Sequence, residues 1–147
     1  MKISLACDHA GFELKQIVIT FLKTQGAKIA DFGCFDTNPV DYTDPAIPAC
    51  ESVVSGENNC GILICGSGLG MSMIANKVKG IRASLCQSVE FAKLTRQHND
   101  ANVLVLAGRF TEPELAIEIV KKFLIEPFSG EERHIKRIQK ILNYENK

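Results

Sequence analysis

Cys60-Gly61-Ile62-Leu63-Ile64 is an apolar run of the kind found in strands buried on both faces. Cys65-Gly66-Ser67-Gly68-Leu69-Gly70 follows it, and Met71 to Val78 then has a helical pattern closed by Gly80. The unit is strand, glycine-rich turn, helix. A thiol stands at the strand tip, and three glycines clear the backbone for close approach by a ligand. Helix N-termini attract anions and favour thiolates. A potential nucleophile or base and an anion cradle therefore share one short turn.

The same alternation extends in both directions. Strand patterns cover Lys2 to Cys7, Lys28 to Phe32, Gly61 to Cys65, Ile81 to Cys86 and Asn102 to Ala107. Between them lie helical patterns. Leu14, Ile17, Val18, Phe21 and Leu22 form one apolar stripe, stopped by Gly26. Asp44 to Ser55 forms the second helix, with Gly56 after it, and Leu69 to Val78 the third. The fourth runs from a cap at Ser88 to about Gln97. Thr111-Glu112-Pro113-Glu114 predicts a capping box opening the fifth, with proline in its first turn. After Phe128 to Gly130, a last helix from about Glu131 to Asn143 carries Ile135, Ile138, Ile141 and Leu142. Arg133 and Arg137 share one side of it. Such a helix needs a surface to dock on, which a second subunit can supply.

Strands separated by helices predict an α/β, Rossmann-like, three-layer fold. Its core is a five-stranded parallel sheet with helices on both faces, plus the C-terminal docking helix. The length of 147 residues and the absence of repeats or linkers predict one domain, 1–147. Ligands in such sheets bind at the carboxyl ends of the strands. Those tips hold Cys7-Asp8-His9, Gly33-Cys34, Cys65-Gly66-Ser67 and Gly108-Arg109.

Basic and acidic side chains balance at 17 each, so bulk charge gives no case for nucleic acid or a membrane surface. No apolar stretch approaches a membrane span, and Asp8 arrives too early for a signal peptide. Six cysteines without paired spacing or a C-x-x-C fit free thiols in a reducing, cytoplasmic setting. No Cys/His spacing suggests a metal site.

Spacing alone leaves the glycine loop open between a tight turn and an anion cradle. A dinucleotide fingerprint would need glycine where Met71 stands, and no Walker lysine follows. A phosphatase-type loop would carry an arginine, and none appears before Lys77. A covalent hydrolase would need His9, His98 or His134 beside Cys65. Deprotonation of carbon needs only a base near the proton and donors for the oxyanion. Asp8 in front of a helix is ordinarily a cap. His98 at a helix end is ordinarily a dipole contact. Arg109, Arg133 and Arg137 are each ordinary surface arginines alone, yet together they can grip a phosphate.

Five ordered motifs resemble type B ribose-5-phosphate isomerases, a family that also contains galactose-6-phosphate isomerase subunits. They are Asp8-His9-Ala10-Gly11-Phe12; Asp41-Tyr42; the Cys65–Gly70 loop with Ala75-Asn76-Lys77; Arg96 to Leu104; and Arg133-His134 with Arg137. The resemblance runs from Met1 to about Ile141. It implies an aldose–ketose isomerase without metal or organic cofactor, acting on ribose 5-phosphate and ribulose 5-phosphate in the pentose phosphate pathway. By analogy Cys65 moves the proton between C1 and C2, and Gly66, Ser67, Gly68, Leu69 and Gly70 hold the enediolate. Ser67, where many members have threonine, assists at the sugar oxygen. His98 opens the ring, Asn99 holds a hydroxyl, and Asp8 and Tyr42 bind hydroxyls. His9, Arg109, Arg133 and Arg137 take the phosphate.

The resemblance also implies a homodimer, or a dimer of dimers, whose site is shared, with His98, Asn99 and Arg109 crossing the interface. Two features stand apart. Glu131-Glu132 replaces glycines that many members carry, which sets carboxylates beside Arg133. Some members use a later glutamate as base, but Met71 occupies that position, leaving Cys65. The alternatives are a six-carbon aldose 6-phosphate isomerase and a non-catalytic sugar-phosphate sensor.

Overall fold

The structure is a computed structural model that describes all residues from Met1 to Lys147. Five strands form one parallel sheet: β1 (Lys2–Cys7), β2 (Lys28–Asp31), β3 (Cys60–Cys65), β4 (Ala83–Leu85) and β5 (Val103–Ala107). Six α-helices connect or follow them: α1 (Phe12–Thr24), α2 (Thr43–Val54), α3 (Leu69–Ala75), α4 (Val89–Asn99), α5 (Pro113–Ile125) and α6 (Glu132–Glu145). The strand order is β2-β1-β3-β5-β4. The chain reverses direction across the sheet between β1 and β3, so their tips flank the crevice where such sheets bind ligands. The fifth strand enters between the third and fourth, which leaves β4 on an edge.

Alternation along the central strands builds two cores. Ile3, Leu5, Ile62, Ile64, Leu104 and Leu106 face one side, against Leu14, Val18 and Leu22 of α1 and Ile119, Val120 and Phe123 of α5. Ala6, Leu63, Cys65, Val103 and Val105 face the other side, against α2 and α3 through Ala46, Ala49, Met71 and Ala75. The result is the expected three layers. Burial of both faces explains the near-continuous apolar runs.

Several boundaries differ from expectation. The fourth strand shrinks from Ile81–Cys86 to Ala83–Leu85 because it lies on the sheet edge. The third helix stops at Ala75, where the Asn76 side chain donates to the carbonyls of Ser72 and Ala83. The capping box at Thr111 does not form. Glu112 is the N-cap residue and no side chain caps the helix, whose start relies on Pro113 at N1.

The last helix packs mainly on α4 and leaves Ile135, Ile141 and Tyr144 exposed. All six thiols are free. Burial pushes the thiols of Cys50 and Cys86 up to about 12 and that of Cys60 up to about 11, so these three are inert packing groups. Cys7 and Cys34 lie side by side, Sγ to Sγ 3.7 Å, a proximity their spacing gave no sign of. No helix is long and apolar enough to cross a membrane.

Candidate active site

Cys65 ends the central strand β3 and is 4% exposed. Pairing of Cys65 with Ala107 brings the tips of β3 and β5 together. Gly108 N–H donates to Cys65 O at 2.8 Å, and Arg109 N–H donates to Gly66 O at 3.0 Å. Beyond the tip the backbone N–H groups of Gly66, Ser67, Gly68 and Gly70 donate to nothing within the chain. Leu69 N–H donates to the Ser67 hydroxyl at 3.3 Å. Gly68 sits at φ +76°, a left-handed conformation that suits glycine and turns the loop into α3. The loop is thus a run of unclaimed donors beside a thiol.

Other tips close around it. Asp8 Oδ1 accepts from Gly11 N–H at 2.9 Å, so the expected cap is present on a short 3-10 turn, His9–Gly11. His9 Nδ1 accepts from Val40 N–H at 3.3 Å. In the neutral ring that bond places the proton on Nε2, leaving a donor free. Tyr42 lies over the loop: a Cβ on Gly70 would come within 2.6 Å of its ring, so only glycine lets the ring approach. Arg109 lies against Gly66, its Cδ 3.5 Å from where a Cβ would stand, and its guanidinium forms no ion pair. Arg109 thus stands beside the Cys65 tip of its own chain, because Gly108 and Arg109 are bonded to the β3 tip.

A second group gathers at the other end of the sheet. The fourth helix runs back from β4 to the entry of β5, and His98 and Asn99 end it. The His98 ring stacks on His134 with centroids 4.3 Å apart. His134 is 1% exposed, and its Nδ1 lies 2.7 Å from Ser129 Oγ. Burial, then the positive charges of His98 and Arg133, holds His134 below the ordinary histidine range. Sequence reading named His134 as a possible activating histidine and in the Arg133-His134 motif, but gave it no place among the site residues. Arg133 pairs with Glu131 at 2.7 Å, and that hydrogen bond holds the Glu131 carboxyl below its usual range. Both groups are exposed, so the pair is weak and leaves Arg133 able to exchange partners. Arg137 forms no ion pair.

The expected site residues therefore fall into two sets. Asp8, His9, Tyr42, Cys65, the glycine loop and Arg109 share the carboxyl ends of the strands. His98, Asn99, Arg133 and Arg137 share the opposite end. A concavity of about 630 Å³ between α6 and β4 is lined by Asn99 and not by Cys65. No three His, Cys, Asp or Glu side chains converge in a way that could hold a metal ion.

Residues 3–141 match the family model described as Ribose/Galactose Isomerase. Ribose-5-phosphate isomerase B of Escherichia coli is 40% identical, over 99% of this chain and 97% of its own. The structure of ribose-5-phosphate isomerase B from Clostridium thermocellum superposes with a TM-score of 0.97 at 44% identity, covering 99% of this chain and 98% of that one. A ribose 5-phosphate isomerase from Thermotoga maritima gives 0.94 at 48% identity, with 97% of each chain covered. With a family model spanning almost all of it and full-length relatives at this identity, the chain belongs to the ribose/galactose isomerase family.

Proposed function

We infer that residues 1–147 form one sugar-phosphate isomerase domain that interconverts D-ribose 5-phosphate and D-ribulose 5-phosphate through an enediolate. The observation that carries the reading is Cys65 beside a loop whose N–H groups, Leu69 apart, are unclaimed. A base and an oxyanion cradle at one point are what proton transfer next to a carbonyl requires. Full-length relatives that bear this enzyme's name supply the substrate.

The residues divide the work as follows. His98 takes a proton from O1 of the furanose and returns one to the ring oxygen, which opens the ring. Asp8, Tyr42 and Asn99 hold hydroxyls. The phosphate sits on His9, Arg109, Arg133 and Arg137. Cys65 removes the C2 proton while the N–H groups of Gly66 to Gly70 hold the oxygen that gains charge. Delivery of that proton to C1, with Ser67 relaying the hydroxyl proton from O2 to O1, completes the ketose. Every proton removed is returned, and no redox partner is needed.

The split of the residues between two ends of the fold supports a shared site in a homodimer. One subunit gives the Cys65 set and its partner gives the His98 set. The exposed Ile135, Ile141 and Tyr144 of α6 are the kind of surface such a dimer covers. Free thiols throughout support a reducing, cytoplasmic setting.

The test is proton exchange. Cys65→Ala should abolish exchange of the C1 proton of ribulose 5-phosphate with deuterated water while substrate still binds. Exchange at the wild-type rate would remove Cys65 from the role of base.

A further inference from the structure

We propose that Arg82 and Asp100 form a clamp that sets the placement of His98 and Asn99, making both of them positioning residues for the ring-opening half of the site. The proposal rests on the isomerase reading of His98 and Asn99. It starts from an oddity of backbone. Asp100, directly after these two residues, is the one non-glycine residue of the chain at positive φ, with φ 44° and ψ 47°. A side chain with a Cβ is disfavoured there, so contacts must hold it.

The contacts are to two arginines. Arg96 Nη1 donates to Asp100 Oδ1 at 2.8 Å, and Arg82 Nη2 donates to Oδ2 at 3.3 Å. The Arg82 fork also reaches the end of α4. Its Nε donates to Asn99 O at 2.9 Å and to Asp100 O at 3.1 Å, and its Nη2 donates to Asp100 O at 2.7 Å. Carbonyls at the end of a helix lack amide donors, and here one guanidinium supplies them. Arg82 is itself fixed. Its N–H donates to Asn102 Oδ1 at 2.8 Å, and Asn102 Nδ2 donates to Gly80 O at 2.9 Å. The end of α4 is thereby tied to the entries of both β4 and β5.

Ending the helix does not require any of this. A glycine at the same position would adopt the left-handed turn with no side-chain contact. The carboxylate adds a fixed point, and the residues before it need one. No hydrogen bond within the chain engages the side chain of His98 or Asn99; His98 has only its stack on His134. Their aim at a neighbouring subunit's substrate is set through the backbone that the clamp holds. Misplacement of a reacting group by about 1 Å costs on the order of 100-fold in rate.

Asp100→Gly separates fold from placement, since glycine favours the backbone conformation while removing the carboxylate that Arg82 and Arg96 hold. Arg82→Ala removes the other side of the clamp, and Arg82→Lys restores charge without the fork. The assay measures net turnover of ribose 5-phosphate beside C1 proton exchange of ribulose 5-phosphate, which needs Cys65 but no ring opening. Turnover should fall about 10- to 100-fold in Asp100→Gly and Arg82→Ala, with exchange within about three-fold of wild type and partial recovery in Arg82→Lys. Wild-type turnover, or loss of turnover and exchange in parallel, overturns the clamp. His98→Asn is run alongside. If it lacks the same split, the ring-opening reading fails and the clamp falls with it. If it shows the split and the clamp variants do not, the clamp alone fails.

Discussion

Mixing two inactive variants should restore activity. Cys65 pairs with Ala107 at the top of β5, and Gly61 pairs with Val103 at its entry. Four residue steps of about 3.3 Å separate these levels, so about 13 Å of strand lies between the Cys65 tip and the start of β5. His98 lies before that entry, separated from it by the turn at Asp100. No histidine side chain spans that distance to reach Cys65 in its own chain. Cys65→Ala and His98→Asn homodimers should each lose about 100-fold or more in turnover. In a dimer of one of each, one site receives the intact cysteine of one chain and the intact histidine of the other. The second site receives both defects. Refolding an equal mixture makes half the dimers mixed, with one of two sites sound, so turnover returns to about a quarter of wild type. Differential tags isolate the mixed dimer, which should reach about half. The measurement is formation of ribulose 5-phosphate before and after mixing. Absence of recovery in a mixed dimer shown to be intact would refute the shared site.

Two other substitutions probe the supports. Gly11→Ala would set a Cβ 2.7 Å from the Ile64 carbonyl carbon and 2.9 Å from its Cγ2, against backbone that cannot retreat. Destabilisation of about 2 kcal/mol is expected in urea, with a fall in kcat as the neighbouring Cys65 shifts; unchanged stability would show that β3 yields there. The pH dependence of stability should carry a mark of His134. Its folded value lies below the ordinary 6.5, so the unfolded chain takes up its proton first as pH falls. Stability is therefore level above about pH 6.5 and declines below it, and His134→Gln should flatten that decline. Glu131 acts in a separate window, below its ordinary 4.5, where stability is lost as its carboxylate protonates. An identical slope between pH 7 and 5.5 in His134→Gln would assign the decline to other groups.

Much of the fold was legible because its signals are local. Short apolar-rich runs marked all five strands, and burial on both faces kept those of β1, β3 and β5 nearly continuous. The glycine loop announced itself through Cys65 and Ser67 at a strand tip. Strand order was not legible, since nothing local tells that β5 enters between β3 and β4. The edge position of β4, which trims it to three residues, follows from that order. The capping box at Thr111 was a pattern match without the geometry. The contact of Arg109 with Gly66 was not legible, because the two are distant in sequence and near only through β3–β5 pairing. His134, and the clamp made by Arg82 and Asp100, draw on contacts between elements that spacing does not encode.

The position of β5 also shapes how the chain is made. On an emerging chain, β1, β2 and β3 can pair while the far side of β3 has no neighbour. The next strand to appear, β4, does not fill that gap, because its partner in the sheet is β5. An apolar strand with an open edge persists until Val103 to Ala107 has been synthesised and slides between the two. Such an edge is a template for pairing with other chains. Folding should therefore be limited by this late, non-local insertion, and aggregation during expression should respond most to substitutions in β5.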